Sequence, residues 1–163
     1  MAMRARAGRA EAPAATRRAE VRLSTDYLNR YGEALMLLEM APMDPEIAED
    51  LARWNAVGYR EHFEGSQLRC AAEAIEAYGG LDAAQRAGFD ELCRAMNRLI
   101  LSASALLREL SPGPHLDAVV AAASESLREL IARATQFINQ NGADLSKIRS
   151  RDLQAEIDAL FSS

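Results

Sequence analysis

The chain has 163 residues, of which 49% are hydrophobic and 26% are charged, and this is enough for one domain with a single core. Aromatic side chains make up only 6%, and nine glycines and five prolines are too few for the frequent turns of a β-sandwich. The net charge of −5 argues against nucleic acid as the main partner. No apolar run approaches the roughly 18 residues that a membrane-spanning helix needs. Two cysteines, Cys70 and Cys93, are too few for a disulfide framework, so we expect a reduced, cytoplasmic protein.

The first 22 residues differ in charge from the rest of the chain. Residues 1–22 contain six arginines and two glutamates, a local charge of +4, together with Pro13 and no apolar run. This composition predicts a disordered basic arm. The arm lacks the apolar stretch of a secretory signal, and it contains no serine, which disfavours a mitochondrial transit peptide.

Residues 23–142 predict a helical bundle domain. A first helix is expected from about Thr25 to Met40, where apolar residues recur at intervals of three and four, and Pro42 ends it. Asp44 is suited to cap the free N–H groups of a short second helix over 45–54. Pro45 fits the first position of that helix because it has no N–H group to lose.

The middle of the chain predicts further helices. Residues 59–78 read as one helix interrupted at Gly65-Ser66, or as two. Asp82 followed by Gln85 resembles a capping box and opens the longest helix, which continues to Leu110. The next helix is expected from about His115 to Gln140.

These last two helices carry coiled-coil-like heptads. Their apolar positions alternate at intervals of three and four, and a Ser-Pro-Gly-Pro turn joins them. The positions are Phe89, Leu92, Met96, Leu99, Ala103, Leu106 and Leu110 in one helix and Leu116, Val120, Ala123, Leu127, Leu130, Ala134 and Phe137 in the other. We therefore predict an all-α fold, an antiparallel bundle built on a long helical hairpin with the first helix as its third member. Because two such hairpins can complete a four-helix core, we also expect a homodimer.

The chain ends with a separable segment. A polar linker over 143–150 precedes a short amphipathic helix over 151–163. An isolated helix of this length is marginal in water, so it must pack on something. Either it packs on its own bundle or it binds in a groove of a partner.

His62 is the main candidate for chemistry. A histidine on a bundle helix, near Gly65 and Ser66, resembles the site of histidine phosphotransfer domains. Those domains place a Lys-Gly pair three and four residues after the histidine, whereas here Gly65 and Ser66 stand there. Arg60 and Arg69 would have to replace the lysine. The simpler interpretation is a partly buried structural histidine.

Other chemistry has little support in the sequence. The spacing of histidines, cysteines and carboxylates fits no metal site, and no nucleophile motif or phosphate-binding loop occurs. Ser102, Ser104, Ser124 and Ser126 lie off the heptad positions, so we expect them to be exposed. The aromatic residues of the first half are expected in the core: Tyr27, Tyr31, Trp54, Tyr59, Phe63 and Tyr78.

The C-terminal segment carries the most specific signal. Residues 154–161 read Gln-Ala-Glu-Ile-Asp-Ala-Leu-Phe. They resemble the N-terminal peptide of the flagellar switch protein FliM, whose S-Q-x-E-I-D-A-L-L run binds the phosphorylated chemotaxis response regulator CheY. The match departs where the switch peptide has a capping serine, and it lies at the opposite terminus. The resemblance implies that a receiver domain is bound through Leu153, Gln154, Glu156, Ile157, Asp158, Leu160 and Phe161.

The layout of the chain is also similar to that of the chemotaxis phosphatase CheZ. That protein is a long helical hairpin that dimerises into a four-helix bundle and ends with a linker and a short amphipathic helix. It needs an aspartate and a glutamine one turn apart to position the attacking water. None of the five glutamines here has an acidic residue four positions before it, so the dephosphorylation pair is missing.

The sequence as a whole favours a non-enzymatic helical interaction protein of the bacterial cytoplasm, with no cofactor or metal. Its C-terminal helix would hold a receiver-like or motility-system partner. One alternative is a flagellar export chaperone, also a small acidic helical hairpin, which should co-purify with an unfolded axial subunit. The other is a histidine phosphotransfer protein, whose activity should disappear in His62→Ala and survive deletion of residues 151–163.

Overall fold

The computed structural model of this chain describes residues 21–143 and the helix Ser150–Phe161. Most of the described residues are helical and none of them lies in a strand, which confirms the predicted all-α fold. The predicted disordered arm lies outside the described residues except for Val21 and Arg22. Most of the predicted linker, residues 144–149, lies outside them as well.

The helices begin and end close to the predicted caps and breaks. The described residues form α1 (Asn29–Met40), α2 (Pro45–Arg53), α3 (Tyr59–Glu64), α4 (Ala71–Gly79), α5 (Ala83–Glu109), α6 (Pro114–Asn139) and α7 (Ser150–Phe161). The predicted first helix begins as a 3₁₀ turn over Thr25–Leu28, and a second such turn over Ala41–Met43 follows α1. The segment expected at 59–78 is two helices separated at the predicted joint.

Two predicted N-terminal caps are present. The Asp44 side chain accepts a hydrogen bond from the Glu46 N–H at 2.9 Å and so caps α2. At α5 the capping box is complete: Asp82 accepts from the Gln85 N–H at 2.7 Å, and Gln85 accepts from the Asp82 N–H at 3.0 Å. These bonds satisfy backbone donors that have no partner within the first turn of a helix.

Helices α5 and α6 form the predicted hairpin and pack closely along their length. At the open end of the hairpin, the ring of Phe89 stacks on that of Phe137 with 5.1 Å between centroids. Every predicted heptad position of α6 is buried, as are the first five in α5, whereas Leu106 and Leu110 are half-buried near the turn. The heptad pattern therefore identified the core face of both helices.

Helix α1 is the third member of the bundle and packs on both α5 and α6. Its buried face consists of Tyr31, Ala34 and Leu38. The Tyr31 hydroxyl donates to Asn97 Oδ1 at 2.9 Å and fixes the register of α1 against α5. Because α1 fills the hairpin face within the same chain, a second hairpin is not needed to bury it, and the homodimer stays a prediction.

None of the four helix serines is exposed as expected. Ser104 is 8% exposed and Ser124 is 3% exposed, and Ser102 and Ser126 are half-buried. The reason is that α1, α2 and α7 also pack against α5, so more of the hairpin surface is covered than its heptad positions. The Ser124 hydroxyl oxygen is buried and has no hydrogen-bond partner.

Candidate functional site

The C-terminal helix α7 packs on its own bundle, mainly against α5 and also against α6. Ile157 is 5% exposed and belongs to the core, and Leu160 and Phe161 are half-buried and packed against the core. Of the two possibilities that the sequence left open, the described structure therefore shows the helix docked on its own chain.

The opposite side of α7 faces solvent. Ala155, Asp158 and Ala159 are exposed. The side chains of Leu153, Gln154 and Glu156 lie outside the described part of the structure, although their backbone belongs to α7. The seven residues predicted to bind a partner thus share one three-turn helix, with its described apolar side chains turned inward.

This arrangement has a direct physical consequence for binding. Ile157, Leu160 and Phe161 supply the apolar area that any partner groove would bury, and the same area is already covered by the bundle. One apolar face cannot be buried twice, so partner binding through it requires α7 to leave α5 and α6. Docking on the bundle and binding to a partner through this face would therefore exclude each other.

The predicted phosphotransfer residue His62 lies on α3 and points toward the turn that precedes α1. Its Nε2 atom is 3.0 Å from Oδ2 of Asp26, and its side chain is 17% exposed. The imidazole ring meets the rings of Tyr27 and Phe63 edge-on, with centroids 5.6 Å and 4.8 Å away. In this arrangement Nε2 reaches an incoming phosphoryl group only if Asp26 moves away.

The two arginines considered as substitutes for the phosphotransfer lysine lie on α3 and in the turn that follows it. Arg60 donates from Nε to Glu64 Oε1 at 2.8 Å, one turn along the same helix. Arg69 lies in the turn between α3 and α4. The geometry around His62 therefore resembles a packing and hydrogen-bonding position more than a phosphoryl site.

The aromatic residues of the first half lie in and around the core, as predicted, and they carry a polar network that the sequence did not reveal. The Tyr27 hydroxyl donates to the Val57 carbonyl at 2.7 Å and lies 3.0 Å from the Tyr31 hydroxyl. The Tyr59 hydroxyl accepts from the Ser24 N–H at 3.0 Å. These bonds tie the chain segment before α1 and the turn before α3 to the bundle.

Burial controls the acid–base chemistry of this network. It raises the pKa of Tyr27 and Tyr31 above the usual range of tyrosine, and it raises the pKa of Tyr59 to about 12. Desolvation also raises the pKa of the buried Cys93 thiol to about 12. A thiol with such a pKa stays protonated near neutral pH and is a poor nucleophile.

Within the described residues, no group of three or more histidine, cysteine, aspartate or glutamate side chains is placed to hold a metal ion. In the same part of the chain, no helix combines the length and hydropathy required to cross a membrane.

The fold and the site define a class of protein: an antiparallel helical bundle with an additional C-terminal amphipathic helix. Comparisons of the chain with protein-family models, with curated proteins and with solved structures found no match.

Proposed function

We propose that this chain is a non-enzymatic helical interaction protein, linked to motility or chemotaxis, that binds a receiver-like partner through α7. The observation that supports the proposal is the apolar stripe of Ile157, Leu160 and Phe161 on a helix separated from α6 by ten residues. Asp158 lies exposed beside this stripe and is suited to a basic rim on the partner. The similarity of residues 154–161 to the switch peptide indicates the kind of partner.

Binding would proceed by exchange of α7 between two surfaces. Burying a large apolar side chain contributes roughly 1.5–3 kcal/mol before ordering costs, on the bundle as on the partner. The docked helix lowers the apparent affinity of the full chain, because only the released helix can bind the partner. A partner whose activated form binds α7 more tightly than its inactive form shifts the equilibrium toward release of α7 from the bundle.

The proposal is tested with a purified chemotaxis response regulator, activated by beryllofluoride. Its affinity is measured for the full chain, for a synthetic peptide of residues 150–163, and for the same peptide carrying Ile157→Ser or Ala159→Ser. We expect micromolar binding of the unmodified peptide and at least tenfold weaker binding with Ile157→Ser, since about 1.4 kcal/mol corresponds to a factor of ten. The exposed Ala159 serves as the matched control and should leave the affinity unchanged.

Two results would refute this function. The first is a peptide that does not bind the activated receiver at millimolar concentration. The second is equal loss of affinity with Ile157→Ser and Ala159→Ser, which would mean that the apolar stripe is not the contact surface.

The proposal extends to location and assembly. We propose that the chain acts in the bacterial cytoplasm as a homodimer. Sedimentation velocity over a hundredfold range of concentration tests the assembly, because a dimer gives a mass of about twice 17.8 kDa. A monomer at all concentrations would remove this part of the proposal and leave the role of α7 untouched.

A further inference from the structure

Three large apolar side chains lie exposed on α1 and the turn that follows it. Met36 is 53% exposed, Met40 is 40% exposed and Met43 is 79% exposed. They are spaced four and three residues apart, which places Met36 and Met40 on the same side of α1. We call these three residues the methionine surface. Unlike the aliphatic residues of the core, they contribute little to holding α1 on the bundle.

An apolar groove lies beside the methionine surface, at the end of the hairpin where α5 turns into α6. Its volume is about 440 Å³. Ala41 and Pro42 line it from the turn between Met40 and Met43, so the surface and the groove are adjacent. Ala48, Leu107, Leu110 and Leu116 add apolar walls, and Glu49 and Arg108 are the charged residues that line it. We call this feature the hairpin-end groove.

The surroundings of the groove are acidic. Residues 35–53 and 105–117, which supply its walls, contain seven carboxylates and two arginines. One of the carboxylates, Glu39, is paired with Arg128 of α6, so seven negative and three positive charges leave a local charge of −4. One of the two arginines, Arg53, is already shared between Glu49 and Asp50 at 3.6 Å. The field at this end of the bundle therefore favours a cationic ligand.

We propose that the methionine surface and the hairpin-end groove together bind a cationic amphipathic helix of a protein partner. An apolar helix face lying in a groove, with basic residues meeting an acidic rim, is an established mode of peptide recognition. Methionine suits such a surface because its flexible, polarizable side chain adapts to different apolar shapes. This site is separate from α7 and takes a partner of the opposite charge.

Two segments of this chain fit the groove poorly. The basic arm, residues 1–22, has few large apolar side chains with which to fill an apolar groove. Helix α7 of a second copy carries Glu156 and Asp158 beside its apolar stripe and would be repelled by the acidic rim.

The test uses the full chain labelled with ¹³C at the methionine methyl groups. The probe is a synthetic 15-residue amphipathic helix of leucine and lysine, and its control has glutamate at each lysine position. We expect saturable shifts of the Met36, Met40 and Met43 resonances with the lysine peptide only. Met96, which is fully buried in α5, is the internal reference and should not move.

Variants of the full chain identify the contact residues. Met40→Ser and Met43→Ser should each weaken binding of the lysine peptide at least fivefold. Leu68→Ser is the matched control, because Leu68 is 45% exposed but lies in the turn between α3 and α4. The affinity of the Leu68→Ser variant for the lysine peptide should stay within a factor of two of that of the unmodified chain.

Three results would overturn the inference. Equal binding of the lysine and glutamate peptides would show apolar adsorption without charge selection. Equal weakening by Leu68→Ser and Met43→Ser would place the contact elsewhere. Methionine shifts that appear on raising the protein concentration without peptide would show that a second copy occupies the surface.

Discussion

Raising the pH should unfold this protein at the point where its buried tyrosines are forced to ionise. All four tyrosines of the chain have a pKa above the model-peptide value of 10.0, with burial as the largest cause in each. For Tyr78 the hydrogen bond that its hydroxyl donates to Asp90 Oδ1, 2.7 Å long, acts in the same direction on the pKa. No tyrosine should therefore titrate normally while the bundle is intact.

The sign and the size of the effect follow from linkage. A raised folded-state pKa gives stability that is complete below the unfolded pKa and is lost as the pH rises toward the folded pKa. At pH 11, Tyr27, Tyr31 and Tyr59 would each lower the free energy of unfolding by roughly 1–2 kcal/mol, because only the unfolded chain is ionised. Cys93, with an unfolded pKa of 9.0, adds roughly 3 kcal/mol. The sum of several kcal/mol is comparable to the whole stability of an ordinary domain.

The assay follows tyrosinate absorbance at 295 nm and helical circular dichroism at 222 nm in the same titration. At pH 10.5 we expect less than one tyrosinate per chain, whereas in denaturant about three quarters of the tyrosines should be ionised. Both signals should then change together between pH 10.5 and 12. A rise in absorbance centred near pH 10, with the helical signal unchanged, would contradict the burial argument.

Further predictions concern stability in urea unfolding. Gly142→Ala should destabilise by about 1–3 kcal/mol, since Gly142 has a φ of +80° and a Cβ there would lie 2.7 Å from Leu81 Cδ2. Gly32→Ala should instead raise the free energy of unfolding by about 0.5–1 kcal/mol, because a Cβ added at this position in α1 would meet no neighbouring atom within 4 Å. Destabilisation by both substitutions would refute this contrast. Ser124→Ala should raise the free energy of unfolding by about 1 kcal/mol more than Ser126→Ala does. Of these two serines, only Ser124 has a buried hydroxyl without a hydrogen-bond partner. Equal effects would mean that the Ser124 hydroxyl is hydrogen-bonded in solution.

Local signals made most of the helical architecture predictable. Helix caps and helix breaks are set by a few neighbouring residues. Here they are the caps at Asp44 and Asp82, the breaks around Pro42 and Gly79, and the turn before Pro114. A heptad pattern likewise reports the buried face of a helix without knowledge of its partner. These features depend on backbone chemistry and periodicity, which are both visible in the sequence.

Contacts between distant segments could not be predicted in the same way. Asp26 and His62 are 36 residues apart, and nothing in their local sequence indicates that they meet. The burial of Ser104 and Ser124 depends on how neighbouring helices cover the hairpin, which heptad positions do not specify. The methionine surface did leave a signal, because Met36 and Met40 lie four residues apart on the side of α1 opposite its core face, and Met43 follows in the next turn.

The docking of α7 could be predicted only in part. Its apolar stripe was readable from the sequence, but the surface that covers the stripe was not, because a bundle groove and a partner groove have the same chemistry. The structure shows Ile157 buried on the bundle. If α7 is the binding element, that contact must give way when the partner binds.

The most direct test observes the Ile157 methyl resonance of the full chain while activated response regulator is added. We predict that the resonance leaves its docked position and saturates with the receiver, while the methyl of Ile47 on α2 stays in place. The same receiver without beryllofluoride should cause a much smaller change. An Ile157 resonance that remains at its docked position in saturating activated receiver would contradict the claim that α7 is the binding element.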